Sequence, residues 1–122
     1  MTTSSFNSVG VFANQSTPLI HESLQRVVAL LNARGVRVMV EETAAKGLKL
    51  AAETATRTDI LPAVELVIAI GGDGSMLGAA RDVAPHGLPL VGVNRGRLGF
   101  LADISPEQLE GQLSKVLDGH GQ

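Results

Sequence analysis

The run Leu66-Val-Ile-Ala-Ile70 is unbroken apolar sequence, and it ends directly in Gly71-Gly72-Asp73-Gly74-Ser75. This junction limits the possible folds more than any other feature of the chain. A strand without polar alternation has to be covered on both faces, as at the centre of a parallel sheet. The glycines that follow mark a backbone turn that side chains would obstruct. Only three of the fourteen glycines precede residue 71, and eight fall between Gly71 and Gly99, so this region is where function is sought.

The rest of the chain fits that frame. Val9 to Phe12 reads as a first strand. Thr17 as N-cap and Pro18 at the first helical position open a helix. Ile20, Leu24, Val27, Val28 and Leu31 form its buried face, and Arg34-Gly35 closes it. Val36 to Val40 is a β-branched second strand. Glu41 to Glu65 reads as a variable connection: its Ala-rich centre around Leu48 to Ala55 is compatible with a short helix, and Gly47 and the Thr/Asp turn signals oppose one. Met76 to Val83 is the next helix, ended by Ala84-Pro85 and Gly87, and Leu90 to Val93 is a fourth strand. Ser105-Pro106-Glu107-Gln108 is a capping box for a last helix, with Leu109, Leu113, Val116 and Leu117 on one face. The expectation is an α/β domain over residues 1–122: an open parallel sheet with helices on both faces, Rossmann-like, with a linker-like turn at 118–122. Ligands of such sheets bind beyond the carboxyl ends of the strands. Three segments fall there: Asn14 to Ser16, Gly71 to Ser75, and Asn94 to Phe100.

Composition excludes several classes. Ten Lys+Arg against twelve Asp+Glu give a formal charge of -2, with no basic cluster, which argues against a nucleic-acid module. There is no cysteine, so thiolate metal sites and disulfides are ruled out. The longest apolar runs, Val27 to Leu31 and Leu66 to Ile70, are far too short to span a membrane. The first residues lack the basic and apolar regions of a signal peptide, so a cytoplasmic protein is expected. Aromatics make up only 2% of the chain (Phe6, Phe12 and Phe100), so the core must be aliphatic.

Gly71, Gly72 and Gly74 let backbone N–H groups approach a phosphate at a helix N-terminus. The segment is neither a Walker A loop nor a GxGxxG fingerprint. Asp73 is what sets it apart, because a carboxylate in a phosphate cradle repels its ligand unless it has a task. It could hold a divalent ion that bridges phosphates, or take the proton from a hydroxyl that attacks phosphorus. It could also simply cap the helix. In the second segment, Gly92-Val-Asn-Arg-Gly-Arg-Leu-Gly-Phe-Leu101, Asn94 offers both donor and acceptor to a ribose or phosphate. Phe100 offers an apolar surface to a base, or a core anchor.

Taken together, Gly-Gly-Asp-Gly with Met-Leu-Gly-Ala-Ala-Arg and then Val-Gly-Val-Asn-Arg-Gly-Arg-Leu-Gly-Phe-Leu-Ala-Asp strongly resembles the NAD kinase family, bacterial members most closely. Phosphofructokinases and diacylglycerol or sphingosine kinases share the tetrapeptide alone; the pair of motifs at this separation is specific. The resemblance implies phosphorylation of the 2′-hydroxyl of NAD's adenosine ribose by ATP with Mg²⁺, or by polyphosphate in some members, to give NADP. It implies that Asp73 accepts the hydroxyl proton, that Asp73 and Gly74 contact NAD, that Phe100 lies against NAD, and that Asn94 belongs to the shared loop. It also implies a homodimer or homotetramer that binds NAD and ATP and neither nucleic acid nor membrane. Family members continue into a β-rich second domain with an Asn-Glu motif that nothing here matches. The 122 residues are therefore expected to be an amino-terminal domain with half a site and little turnover alone.

Other kinases of the phosphofructokinase and diacylglycerol kinase superfamily are the first competing reading, and the Leu98-Gly99-Phe100 run speaks against them. A receiver module would need acidic residues after the first strand, where Phe12-Ala13-Asn14 stands. A non-catalytic nucleotide-binding domain remains a third. His21, His86 and His120 have no ligand spacing, and no metal site is expected of them. Glu41-Glu42 reads as a solvated strand exit and Arg81-Asp82 as a surface pair. Ser75, Asn14 and Asp103 each have an ordinary turn or structural reading. Phe100 and Leu101 would leave an apolar patch if their covering partner were absent.

Overall fold

A computed structural model of the chain describes residues 6–13, 18–94 and 103–104. The elements in order are β1 (Ser8–Phe12), α1 (Pro18–Ala33), β2 (Arg37–Glu41), α2 (Glu42–Ala45), β3 (Glu53–Ala55), α3 (Arg57–Ile60), β4 (Leu66–Gly71), α4 (Asp73–Val83), β5 (Leu90–Asn94) and β6 (Asp103–Ile104). Short 3-10 turns at Leu61–Ala63 and Ala84–His86 follow α3 and α4. The strands form one sheet in the order β3-β2-β1-β4-β5-β6, and all of the pairings are parallel. The order runs outward from β1 in one direction and from β4 in the other. The carboxyl ends of β1 and β4 therefore flank the topological switch point, where open α/β sheets hold ligands.

Two aliphatic layers sandwich the sheet, and β4 shows why its sequence lacks polar alternation. Leu66, Ile68 and Ile70 face one layer, with Val9 and Val11 of β1, Val38 and Val40 of β2, and Ile20, Leu24, Val27, Val28 and Leu31 of α1. Val67 and Ala69 face the other, with Phe12, Met39, Ile60, Met76, Ala79 and Val83. All six β4 residues are buried. Each large aliphatic side chain so buried contributes about 1.5–3 kcal/mol, which is how a core poor in aromatics holds.

The expected end of α1 is present. Gly35 takes φ +73°, its N–H donates to the Asn32 carbonyl at 3.1 Å, and the Val36 N–H donates to Leu31 at 3.0 Å. This is a Schellman closure, with Val36 and Leu31 buried in the same layer. Thr17 and the final helix opened by Ser105 lie outside the described residues.

The reading of residues 41–65 is corrected. The Ala-rich stretch is not a helix: Leu48, Leu50 and Ala52 pack at a spacing of two against the α1 layer, and β3 follows at once, paired with β2 from Met39↔Glu53 to Glu41↔Ala55. The open edge of β2 outweighs alanine's helix propensity. α3 is capped by Thr56, whose hydroxyl accepts the Asp59 N–H at 3.2 Å. A Cβ at Gly10 would stand 2.6 Å from Ile60 Cγ2, so the bare glycine on β1 is what lets α3 settle onto the sheet. Asp103 begins β6, with Gly92↔Asp103 in register.

Candidate functional site

The turn after β4 lies at the switch point. Gly71 ends the strand at φ +150°, a conformation that a residue with a side chain rarely adopts. A Cβ there would be 2.7 Å from Ser75 Oγ and 2.8 Å from Ser75 Cβ, so Ser75 packs directly onto the strand end. Gly72 is extended (φ -101°, ψ -163°) and serves as N-cap of α4 without a side-chain cap hydrogen bond. Its carbonyl accepts the Met76 N–H at 3.0 Å, which starts the helix. The N–H groups of Asp73, Gly74 and Ser75 thus belong to the first turn, where intrahelical partners are missing. Gly72 and Gly74 are exposed, and no heavy atom lies within 4 Å of where a Cβ on either would stand. An open backbone at the positive end of an eleven-residue helix suits a polyanion.

The structure brings the two glycine-bearing segments together. Gly71 and Asn94 are Cα partners at the ends of β4 and β5, so position 94 borders the Gly71 turn. Asp73 is the first residue of α4. Four of the six expected site residues (Gly71, Gly72, Asp73 and Gly74) form this one turn, and Asn94 stands beside it. Phe100, with Asn14, lies outside the described residues.

Sequence reasoning missed a cluster at the ends of β1 and β2. Glu41 is not a solvated strand exit; its side chain is only 14% exposed. Arg57 donates to it twice, from Nε to Oε2 at 3.1 Å and from Nη2 to Oε1 at 2.8 Å. Glu41 Oε1 also accepts the Ala13 N–H at 3.2 Å. Arg57 Nη1 donates to Asp82 Oδ2 at 2.9 Å, so Asp82 pairs with Arg57 across the fold rather than with its neighbour Arg81. The guanidinium carbon lies 4.3 Å from the centre of the Phe12 ring, within range of a cation–π contact. Burial opposes the Arg57 charge, but hydrogen bonds to Glu41 and Asp82 outweigh it and hold the pKa above the ordinary arginine value. No sequence signal announces the cluster, because its members come from β1, β2, α3 and α4.

Among the described residues no three His, Cys, Asp or Glu side chains converge to hold a metal ion, and no helix is long and apolar enough to cross a membrane.

Comparison with known proteins agrees with this geometry. Residues 9–121 match the family described as ATP-NAD kinase N-terminal domain. The chain is 40% identical over 116 residues to the NAD kinase of Pseudomonas entomophila, covering 94% of this chain and 39% of that protein. NAD kinases of Pseudomonas putida and Pseudomonas fluorescens match with the same identity and coverage. The chain thus spans about two fifths of the length of these relatives. A solved structure of yeast NADH kinase complexed with NADH shares the fold, with a TM-score of 0.75 at 19% identity over 93% of this chain and 38% of that one.

Proposed function

The chain belongs to the ATP-NAD kinase family, as its N-terminal domain, and on that premise we propose that it supplies the phosphate-binding and proton-accepting half of a site that converts NAD to NADP. The observation that carries this reading is the open Gly71–Gly74 backbone at the switch point, with Asn94 in register beside it.

The amides of the first turn of α4 bind phosphate oxygens, and Asp73 and Gly74 meet NAD. Asp73 takes the proton from the 2′-hydroxyl of the adenosine ribose as that oxygen bonds to the γ-phosphorus of ATP. The bond from phosphorus to the β–γ bridging oxygen breaks, and ADP leaves. Asn94 contacts ribose or phosphate, and Phe100 lies against NAD. A Mg²⁺ brought with the ATP would supply charge neutralisation at the transferring phosphates, and Asp73 is the residue of this turn that would hold it. Turnover requires the region by which the relatives exceed this chain. The same reading makes the working protein a cytoplasmic homodimer or homotetramer, and its net charge of -2 gives no hold on nucleic acid.

A ¹⁵N amide spectrum of the chain, titrated separately with NAD, Mg²⁺-ATP and fructose 6-phosphate, tests the site. Shifts at Gly71 to Ser75 with NAD or ATP, and none with the sugar phosphate, are expected; the reverse pattern would overturn the proposal. NADP formation is then assayed for the 122 residues alone and after complementation with the carboxy-terminal region of the Pseudomonas putida relative. Turnover only in the second case is expected, and turnover by the 122 residues alone would refute the half-site.

A further inference from the structure

We propose that Arg57 is a positioning residue for the nucleotide: it fixes the exit of β1 and the setting of α4 around the Gly71 turn. This inference rests on the function proposed above.

The argument starts from where the strand pairings stop. β1 and β2 are in register only to Val11↔Val40, whereas β1 and β4 continue to Phe12↔Ala69. On its β2 side the exit of β1 has therefore left the ladder just where it approaches the switch point. Glu41 replaces the lost contact, reaching across from the end of β2 to accept the Ala13 N–H. A single carboxylate oxygen on a rotatable side chain would hold that amide loosely. The two-pronged bond from Arg57 fixes the plane of the carboxylate, which a point charge could not do.

The same guanidinium reaches two further elements. It lies over the ring of Phe12, the residue before Ala13, and it binds Asp82 near the end of α4. α4 begins at Asp73, so a contact that sets the far end of this helix also sets the direction of its first turn. Arg57 is itself held in place: α3 sits on β1 through Ile60, which fills the space over Gly10. One side chain thus couples the ends of β1 and β2 to α4, the helix that begins at the switch point.

A plain structural ion pair would show its loss in stability alone, whereas a positioning residue shows it in binding. The variants are Arg57→Lys, which keeps the charge and loses the fork, and Glu41→Gln, which keeps the shape and loses the charge. Both are placed in the complemented, active protein and compared by thermal midpoint, kcat and KM. The KM for NAD is expected to rise about tenfold, which corresponds to about 1.4 kcal/mol of lost binding. kcat should stay within about twofold, the signature of lost uniform binding. The amides of Ala13 and Gly71 to Gly74 should move together in the spectrum of the Arg57→Lys chain. An unchanged KM with a lowered midpoint, or a fall in kcat at constant KM, would overturn the inference. If Arg57→Lys fails to fold, Glu41→Gln decides by the same KM. Complemented wild type that forms no NADP would instead refute the proposed function, so the two failures are told apart.

Discussion

Gly71 and Asn94 face each other as register partners at the carboxyl ends of β4 and β5, and two segments far apart in sequence thereby share one corner of the sheet. Gly71 leaves the strand at φ +150°, so the chain turns at once into α4 instead of continuing past Asn94. The corner is left open to solvent at Gly72 and Gly74. A rigid strand pair below and an uncapped helix start above make this a place where backbone, rather than side chains, meets a ligand.

The glycines of this turn should separate cleanly on substitution. Gly71→Ala forces a side chain into φ +150° and against Ser75 at 2.7 Å, a combined strain and overpacking cost of about 2–4 kcal/mol. Gly74→Ala meets nothing within 4 Å and replaces a first-turn glycine by a better helix former, so stability should rise by up to ~1 kcal/mol, the helix-interior value being the upper bound. Urea unfolding of both variants checks the contrast. If the amide at position 74 approaches a phosphate, Gly74→Ala should also weaken the ATP-induced amide shifts while the fold stays intact.

Gly10 tests the seat of α3. The Cβ of Gly10→Ala would fall 2.6 Å from Ile60 Cγ2 and 3.4 Å from Val64 Cγ2, and both neighbours are buried. Ile60 cannot swing outward without taking α3 with it. A loss of about 1–3 kcal/mol is expected from overpacking, measured by denaturant unfolding. The amide of Ala13 should shift as well, because Arg57 lies on the displaced segment.

Much of the fold was legible because its signals are local. β4 reads as a doubly covered strand from its composition alone, and both neighbouring layers bear that out. Gly35 announces the end of α1 for a reason intrinsic to glycine. β3 was hidden because alanines at 51, 52 and 55 favour a helix in isolation, while the period of two in Leu48, Leu50 and Ala52 was the weaker signal. The Arg57 cluster could not be read at all: Glu41, Arg57 and Asp82 carry no spacing that relates them, and only the packing of α3 over Gly10 brings them together. At the site, the Gly71–Gly74 turn is a local signal. Its adjacency to Asn94 follows only from strand order.

An exposed pair on the outer strands predicts a pH effect. Arg37 Nε donates to Glu53 Oε2 at 2.7 Å and Nη2 to Oε1 at 3.0 Å, joining β2 to β3. The hydrogen bond from Arg37 holds the Glu53 carboxyl below its ordinary value of 4.5. A pKa depressed by folding stabilises the native state above the unfolded value, and the contribution disappears as pH falls through the folded value. Wild type should thus exceed Glu53→Gln in stability at neutral pH and converge on it in acid. Both side chains are more than half exposed, so the difference should be small and should shrink in salt. Unfolding midpoints from neutral to acidic pH, at low and high salt, check it.

The sharpest prediction concerns Asp73. In the proposed reaction its carboxylate is the proton acceptor, so Asp73→Asn removes the base and keeps nearly the same shape. General-base catalysis contributes about 10²–10⁴-fold, and kcat for NADP formation in the complemented protein should fall by that order. Asp73 is also the first residue of α4, where a carboxylate favours the helix dipole by about 0.3–1 kcal/mol. A helix-dipole role alone would therefore lower stability slightly on substitution and leave kcat nearly intact. A divalent-ion role would be relieved in part by raising Mg²⁺, whereas a base role would not. Kinetics of Asp73→Asn across a range of Mg²⁺ concentrations, with a thermal midpoint for each preparation, distinguish the three. A kcat close to wild type would remove Asp73 from the chemistry and leave the turn as a binding loop only.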